Sequence, residues 1–429
     1  MPAMTSNYPL LRGLAVALAL VTSPLLHAET LNTEGLRLDK VVLVMRHGIR
    51  PATDTAELQA WSAKTWPRFA VADGQLTAHG YAATVLLGQW QRQYLVGHGL
   101  LAADGCPGAG QAYLWSSPVA RTRATGKALL EGLFPGCQVP VNHASAGQDR
   151  LFHGSENGLA GLERRQAEQA ILAAMGGSPQ AAQAKYGQAL LRMQNVVGVP
   201  ATCPKAPHCA LSEQPWGLKE KGTTVKLSGP LSVGAAMAET FRMQYAEGMP
   251  LDQVAFGQGR TANEVAGLME LRSGKYALSQ HLPYVARRGA SQLLSQVLLA
   301  LEDTGKAAAG GPPSAAWLAY VGHDSNIAQL RTLLGFDWKI AEYPEDDAAP
   351  GGTLLFERWL DPRSGQRFVS LAYVAQSLDQ LRQLSHDAPY RVQFTGVDGQ
   401  PLMPLARFEQ YMGERVDASA TEPQRYADH

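Results

Sequence analysis

Charged residues are scarce in this chain of 429 residues, and neither sign is in excess. Asp, Glu, Lys and Arg make up 17% of the sequence, with 37 basic and 37 acidic side chains, against about 25% in an average soluble protein. The lack of a basic excess argues against a nucleic-acid partner, because binding to phosphates along a strand needs a positively charged face. Intrinsic disorder is also excluded, since 45% of the residues are hydrophobic and suffice for a large core.

Long apolar runs are absent beyond the N-terminal segment. No later run approaches the ~20 apolar residues that span a bilayer, so no membrane association is expected once that segment is removed. Residues 1–28 have the features of a secretory signal: a single charged side chain at Arg12, an apolar run from Leu14 to Val21, and a small residue at Ala28. We therefore expect cleavage near Ala28 and a periplasmic or secreted protein.

Cysteine is rare, with four residues in the whole chain. In an oxidising compartment an even count favours disulfides, and four cysteines allow three pairings. Cys203 and Cys209 flank a short Pro-rich loop, so a local bridge is the simplest closure, and Cys106 would then pair with Cys137. The alternative is a metal site at Cys203, Cys209 and His208. It lacks a fourth nearby ligand and the short cysteine spacing of zinc sites, and we expect no metal.

The sequence contains no GxGxxG loop, no Walker-type loop and no internal repeat. It does contain β-branched and aromatic runs that alternate with helical patterns, and this alternation predicts an α/β fold with a mainly parallel sheet flanked by helices. The predicted strands are residues 38–45, 113–116, 317–321, 353–360 and 367–374, and helices are expected after Thr77 and over residues 122–133.

The middle of the chain differs in composition. Residues 151–288 are rich in Ala, Gln, Glu and Leu, with helical patterns over 181–197 and 232–247. We expect an α-helical cap domain here, inserted into an α/β catalytic domain formed by residues 29–150 and 289–429. Residues after about Val416 are polar and are expected to fray.

Two groups of polar residues follow predicted strands. Arg46, His47 and Arg50 come directly after the first strand, and ligands of open α/β sheets lie beyond the carboxyl ends of strands. Arginine offers forked donors that suit phosphate. His323 and Asp324 follow the strand of residues 317–321. The alternatives are a solvated basic loop for the first group, and for the second a helix-capping Asp beside a structural histidine.

Taken together, these residues describe phosphoryl transfer through a covalent intermediate. A histidine nitrogen is a competent nucleophile toward phosphorus. Arginines, including Arg121 after the strand of residues 113–116, and a second histidine would offset charge on the phosphate oxygens. An aspartic acid protonates the leaving alkoxide and then deprotonates water. This chemistry needs no metal and no other cofactor, because the arginines supply the positive charge.

The sequence resembles the histidine acid phosphatase family, and within it the bacterial periplasmic branch of phytase/acid phosphatase and glucose-1-phosphatase. The resemblance implies that His47 is the phosphorylated nucleophile, that Asp324 is the proton donor, and that the phosphate is bound by Arg46, Arg50, Arg121 and His323. It also implies an α/β sheet domain with a helical cap. The segments that carry it are RHGxR at 46–50, LTAHG at 76–80, RTR at 121–123, LSGPL at 227–231, GHD at 322–324, residues 351–359 and the four cysteines.

Two departures from the family pattern bear on the substrate. Pro51 follows Arg50 directly, and Ala52 takes the place where the family has proline. Phytase-like members often carry a lysine shortly after this motif, whereas here the position is Asp54, an acidic residue facing a site for phosphates. Glu239 resembles the cap-helix glutamate of the phytase relatives, although a solvated helix glutamate is the alternative.

We therefore expect a monomeric acid phosphatase with small-molecule substrates, phytase-like and of broad specificity, acting on inositol phosphates or sugar phosphates. A sugar-phosphate phosphatase such as glucose-1-phosphatase is the first alternative, favoured by Asp54. A non-catalytic phosphate-binding protein is the second, and a phosphomutase is a weaker third.

Overall fold

The chain was analysed in a computed structural model that describes residues 31–145, 147–204, 208–221, 224–302, 310–396 and 398–426. The expected signal segment, residues 1–28, lies outside the described residues. The strands are β1 Arg37–Arg46, β2 Ala112–Ser116, β3 Asn142–His143, β4 Gly217–Lys221, β5 Thr224–Ser228, β6 Trp317–Gly322, β7 Thr353–Leu360, β8 Arg367–Ala375, β9 Tyr390–Gln393 and β10 Met403–Pro404.

The α-helices lie between and after these strands in the chain. They are α1 Thr55–Ala60, α2 Ala78–Gly97, α3 Ala120–Leu133, α4 Arg164–Ala174, α5 Pro179–Val197, α6 Pro230–Ala246, α7 Ala262–Gly267, α8 Glu270–Ala277, α9 Pro283–Glu302, α10 Asp324–Leu334, α11 Leu378–Gln383 and α12 Leu405–Gly413. Thr77 caps α2 by accepting a hydrogen bond from the Gly80 amide, as the sequence predicts.

In the described part of the chain, all strands except β4 and β5 form one eight-stranded sheet. Its order is β10-β8-β7-β1-β6-β2-β3, with β9 also paired to β8. Strands β1, β6, β2 and β3 are parallel, while β7 to β10 join them as an antiparallel extension. Arg46 pairs with Gly322, so β1 and β6 end side by side. The predicted α/β fold is confirmed.

Strand β1 lies near the centre of the sheet because both of its faces are apolar. Val42 and Val44 pack into the core that contains α9 and α10, whereas Val41, Leu43 and Met45 pack against α2 and α3. A strand buried on both faces reads as a continuous hydrophobic run rather than an alternating one. The sheet is therefore the middle of three layers, with helices on each side.

Helices α2 and α3 pack at unusually close range. A Cβ atom on Gly132 would lie 2.1 Å from the carbonyl oxygen of Val85, and one on Gly88 would lie 2.4 Å from that of Leu129. Only glycine at both positions permits this approach. The contact matters for the site, because α3 carries Arg121 at its first turn.

Both predicted disulfides are present. Cys106–Cys137 joins the loop before β2 to the residues after α3, and Cys203–Cys209 closes a local loop. The alternative of a metal site at Cys203, Cys209 and His208 is therefore wrong. Among the described residues, no group of three or more His, Cys, Asp or Glu side chains is placed to hold a metal ion.

The helical segment after β3 has its own hydrophobic core, formed by α4, α5, α6 and α8 together with α1, which comes earlier in the chain. Helices α5 and α6 match the predicted ones within about two residues. The hairpin of β4 and β5 was not predicted; it lies between α5 and α6. Residues 31–429 form one compact unit, and the domain boundaries at 150 and 288 stay a prediction.

The prediction that the C-terminal residues fray is wrong for the part that is described. The Glu422 amide donates to Gln292 on α9, and the Tyr426 hydroxyl lies 2.9 Å from that of Tyr320 on β6. Polar composition concealed this contact, because the segment packs largely through hydrogen bonds and contains one aromatic side chain, Tyr426. Among the described helices, none is both long and apolar enough to cross a membrane.

Candidate active site

The two histidine motifs meet at the carboxyl ends of neighbouring parallel strands. His47 follows β1 and His323 follows β6, and the His47 amide donates to the carbonyl oxygen of Gly322 at 3.0 Å. The centroids of the two imidazole rings lie 5.7 Å apart in an edge-to-face arrangement. The sheet register thus brings together residues that are 276 positions apart in sequence.

His47 is buried and its tautomer is set by the backbone. Its Nδ1 atom lies 2.9 Å from the carbonyl oxygen of Gly48. Because a carbonyl oxygen only accepts hydrogen bonds, Nδ1 carries the proton and Nε2 keeps a free lone pair. Burial, and then the positive charges of Arg46 and Arg50, lower the pKa of the His47 imidazole well below its ordinary value. These effects favour the uncharged imidazole.

Arg50 and Arg121 are cations without a carboxylate partner in the described structure. Arg50 donates to the carbonyl oxygen of Pro51 at 2.9 Å, and Arg121 donates to Nδ1 of His323 at 3.3 Å. Burial, and then the neighbouring charge of Arg50, lower the pKa of Arg121 to about 10. Two guanidinium groups that face each other in this way favour an anion between them.

Arg46 lies deeper and is fully buried. It donates to the carbonyl oxygen of Ala348 at 2.5 Å and pairs with Glu239 of α6, and one of its nitrogens lies 3.3 Å from the Asp324 carboxylate. A buried arginine that is held on two sides is rigid, so it fixes the position of the Asp324 side chain.

Glu239 lies within an ionic network, not in solvent. It is 4% exposed and pairs with Arg46, Arg242 and Arg272. Burial acts to raise the pKa of this carboxyl, but Arg242 and Arg272 outweigh it and hold the pKa far below its ordinary value. The alternative of a solvated helix glutamate is therefore wrong.

No motif in the sequence pointed to three members of this network, Arg242, Arg272 and Asp347. Arg272 of α8 donates to the Asp324 carboxylate at 2.9 Å, and its Nε lies 3.0 Å from Glu239. Arg242 of α6 pairs with Glu239 and with Asp347. These residues lie in the helical segment or in a loop and carry no motif, so only the tertiary packing reveals them.

Asp324 is the first residue of α10 and faces the arginines; His323, not Asp324, stands at the N-cap, so the helix-capping alternative is wrong. One carboxylate oxygen accepts from the Ser325 amide at 3.0 Å, and the other is shared by Arg46 and Arg272. Burial would raise the pKa of Asp324, but Arg46 and Arg272 lower it well below its ordinary value. These charges favour the ionised carboxylate.

His323 is oriented by two partners. Because Arg121 only donates, Nδ1 of His323 accepts, and Nε2 carries the proton and donates to the Ser117 hydroxyl at 3.2 Å. Burial, and then the neighbouring ring of His153, lower its pKa well below the ordinary value. His153 lies 4.7 Å from His323 between ring centroids and pairs with Asp149 at 2.9 Å. Sequence reasoning missed this third histidine.

Two cavities open beside Asp324. Their volumes are about 250 Å³ and 380 Å³, and Lys275, Ser279, Gln280 and Asp324 line both. Arg50, Asp54 and Glu239 line the smaller cavity, whereas Arg121, His153 and His323 line the larger one. Asp54 is exposed and caps α1 by accepting from the Glu57 amide. A cavity of about 740 Å³ near residues 143–150 and 422–425 contains none of the predicted site residues.

The fold and the site are those of a phosphate-handling enzyme: an uncharged histidine nitrogen, unpaired arginines and a carboxyl meet at the end of a parallel sheet. Residues 37–374 match the Histidine phosphatase superfamily (branch 2). The chain belongs to this family, and it is a phosphoric monoester hydrolase of the histidine phosphatase type.

Three similar proteins illustrate the range of the family. Phytase AppA of Escherichia coli (strain K12) is 33% identical over 359 residues, which cover 81% of this chain and 82% of that protein. A glucose-1-phosphatase of Salmonella typhimurium (strain LT2) is 30% identical over 419 residues, covering 94% and 98%. The crystal structure of a Klebsiella sp. ASR1 phytase has a TM-score of 0.80 at 32% identity, covering 90% of this chain and 98% of that one.

Proposed function

We propose that the chain is an exported acid phosphatase that hydrolyses phosphate monoesters through a phosphohistidine on His47. The observation that carries this proposal is the uncharged Nε2 of His47, which lies near Arg50 and Arg121, two cations that lack carboxylate partners. A phosphate bound by these two arginines would present its phosphorus atom to the lone pair of Nε2.

The reaction has two balanced steps. In the first, Nε2 of His47 forms a bond to phosphorus, the bond from phosphorus to the ester oxygen breaks, and the proton of Asp324 passes to the leaving alkoxide. In the second, water attacks phosphorus and gives a proton to Asp324, and the P–N bond breaks to release phosphate and free His47. Arg46, Arg50, Arg121 and His323 would stabilise the charge on the phosphate oxygens.

The pKa shifts fit an acidic optimum. The pKa of Asp324 is held low by Arg46 and Arg272, and a bound phosphate dianion would raise it by offsetting those charges. Lower pH then favours the protonated acid. The pKa of His47 is also low, so the nucleophile stays free as the pH falls.

The mechanism is tested by trapping the intermediate. With a radiolabelled phosphate ester and an alkaline quench, the wild-type protein should retain label that is stable in alkali and lost in acid. His47→Ala should retain no label and should lose more than about a thousandfold in turnover, because the nucleophile is gone. His386→Ala, at an exposed position, is the control. Undiminished turnover in His47→Ala would sink the mechanism.

For the substrate, the proposal is a phytase-like enzyme of broad specificity that accepts inositol phosphates. Two of the three similar proteins are phytases. Glu239, whose position resembles that of the phytase glutamate, lines the smaller cavity at the base of the arginine network.

One observation favours a second candidate, a glucose-1-phosphatase. Asp54 and Glu57 both line the smaller cavity, where two carboxylates would repel a polyanion. Turnover of myo-inositol hexakisphosphate and glucose 1-phosphate, measured on the preparation used for trapping, separates the candidates. A phytase releases phosphate from both, whereas a glucose-1-phosphatase strongly prefers the second.

We place the protein in the periplasm or outside the cell. Two disulfides indicate an oxidising compartment, and residues 1–28 have the features of a signal peptide. The monomeric state stays a prediction.

A further inference from the structure

Lys275 reaches the site from the helical segment. It is on α8, three residues after Arg272, so both side chains project from the same face of the helix. Lys275 lines both cavities beside Asp324, together with Ser279 and Gln280. The group that protonates the leaving oxygen must face the leaving group. Lys275 lines the same two cavities as Asp324, so it is also placed beside the leaving group.

The charges of the site leave Lys275 unneutralised. Arg46, Arg242 and Arg272 each pair with carboxylates. Among the described residues, Lys275 has no hydrogen-bond acceptor and no carboxylate within ion-pair distance. Burial, and then the charge of Arg272, lower the pKa of its ammonium group. A half-buried cation without a partner is unfavourable until an anion arrives.

The signs of the lining charges differ between the cavities. The larger one is lined by three cationic side chains, Arg121, Lys226 and Lys275, and by two acidic ones, Glu156 and Asp324. The smaller one is lined by Arg50, Arg272 and Lys275, and by Asp54, Glu57, Glu239 and Asp324. Lys226 pairs with Glu156 at 2.7 Å, and Arg121 is assigned to the reacting phosphate, so Lys275 is the cation of the larger cavity that is left for a second anion. The four carboxylates of the smaller cavity disfavour one there.

We propose that Lys275, with Ser279 and Gln280 beside it, binds a second phosphate group carried by the leaving group of the substrate, in the larger cavity. This inference rests on the proposed function and specifies its substrate class: esters whose leaving group bears another phosphate, such as polyol or sugar bisphosphates and inositol polyphosphates. It also explains how such substrates could bind despite Asp54, because the second phosphate would lie in the larger cavity, which Asp54 does not line.

A pair of substrates that differ by one phosphate tests the inference. Glucose 1,6-bisphosphate carries a phosphate on its leaving group whichever ester is cleaved, and glucose 1-phosphate does not. In Lys275→Gln, the ratio of kcat/KM for the bisphosphate to that for the monophosphate should fall about tenfold, mainly through KM. Lys275→Arg should restore the ratio, because it keeps the charge. Lys127→Gln, on the exposed face of α3, is the matched control.

Equal losses on both substrates would overturn the inference. They would show that Lys275 contributes to the binding of every phosphate ester and not to the binding of a second phosphate. Calorimetry with myo-inositol hexakissulfate gives a readout without turnover: Lys275→Gln should weaken its binding about tenfold and leave the binding of inorganic phosphate unchanged. Unaltered hexakissulfate binding would likewise overturn it. If wild-type protein binds hexakissulfate through Lys275 yet hydrolyses neither ester, the proposed function fails and the second-phosphate site stands.

Discussion

At the scale of single residues, the proposed mechanism pairs a free nucleophile, His47, with a restrained acid, Asp324. His47 needs only the backbone of Gly48 to hold its Nε2 lone pair in place. Asp324, in contrast, is held by Arg46 and Arg272, which keep it ionised until a substrate arrives. In the proposed mechanism, proton donation by Asp324 depends on a bound phosphate offsetting these charges, which links substrate binding to activation of the acid.

Replacing the acid should affect substrates according to their leaving groups. Asp324→Asn should lower kcat/KM about a hundredfold or more for glucose 1-phosphate, whose alkoxide needs a proton. The loss for p-nitrophenyl phosphate should be much smaller, because nitrophenolate leaves without protonation. The wild-type fall in rate between acidic and neutral pH should also disappear in the variant. Rates over pH 4 to 8 with both esters check this.

Asp347→Asn is the matched control for this experiment. Asp347 belongs to the same ionic network through Arg242 but lines neither cavity beside Asp324. Any loss in this variant should be equal for the two esters. If Asp324→Asn also lost equally on both, Asp324 would not be the general acid.

At the scale of elements, the site depends on how α3 sits against its neighbours. The Gly48 amide donates to the Thr125 hydroxyl at 3.1 Å, and that hydroxyl donates to the Arg121 carbonyl oxygen. Helix α3 thus connects the loop after β1 to the arginine that faces His323. Its own position is set by the close contact of Gly132 with α2.

Filling that contact should destabilise the protein. In Gly132→Ala the new methyl group would meet the Val85 carbonyl oxygen at 2.1 Å, so the two helices must separate. We expect a loss of about 1–3 kcal/mol in the free energy of unfolding, as for overpacked cores. Urea unfolding measures it.

Gly187→Ala is the control for the helix contact. Gly187 lies inside α5, and a Cβ there would meet no atom within 4 Å. This change should be neutral or should stabilise by up to about 1 kcal/mol, because alanine favours helix more than glycine does. A similar loss in both variants would show that the α2–α3 contact is not the cause.

At the scale of the whole molecule, balanced total charge coexists with a site where cations are concentrated. The chain has 37 basic and 37 acidic side chains, yet Arg50, Arg121 and Lys275 converge without carboxylate partners in the described structure. Folding also buries imidazoles in uncharged form. The pKa of His281 falls to about 4 through burial and the charge of Arg331.

The buried imidazole of His281 makes stability depend on pH. The unfolded chain takes up this proton near pH 6.5, whereas the folded chain takes it up only near pH 4. Over that window the unfolded state binds more protons, so stability falls as the pH falls, by less than about 1.4 kcal/mol per pH unit for one group. His281→Gln should make the decline between pH 6.5 and 4 shallower in urea unfolding.

The matched control is His386→Gln, at an exposed position, which should keep the wild-type slope. A wild-type slope in His281→Gln would mean that other groups account for the acid sensitivity of the fold.

The sequence predicted those features of the fold and site that a local hydrophobic pattern or a motif determines. The strands of residues 38–45 and 317–321 are apolar runs, and the sheet places His47 and His323 together as their position after those strands implies. Arg272 and Lys275 could not be predicted, because their role depends on how α8 packs against the sheet ends. The hairpin of β4 and β5 was also missed, since its polar composition does not alternate clearly.

The origin of Arg272 and Lys275 in the helical segment has an evolutionary consequence. The groups proposed to react come from turns at the ends of sheet strands, whereas the side chains beside the leaving group come from α8. A substitution at Lys275 would therefore change which esters bind without altering the turns that carry His47 and Asp324, whereas one at Arg272 would also change the pKa of the proposed acid. One short helix could thus move the preference between monophosphates and polyphosphates while the reacting groups stay in place.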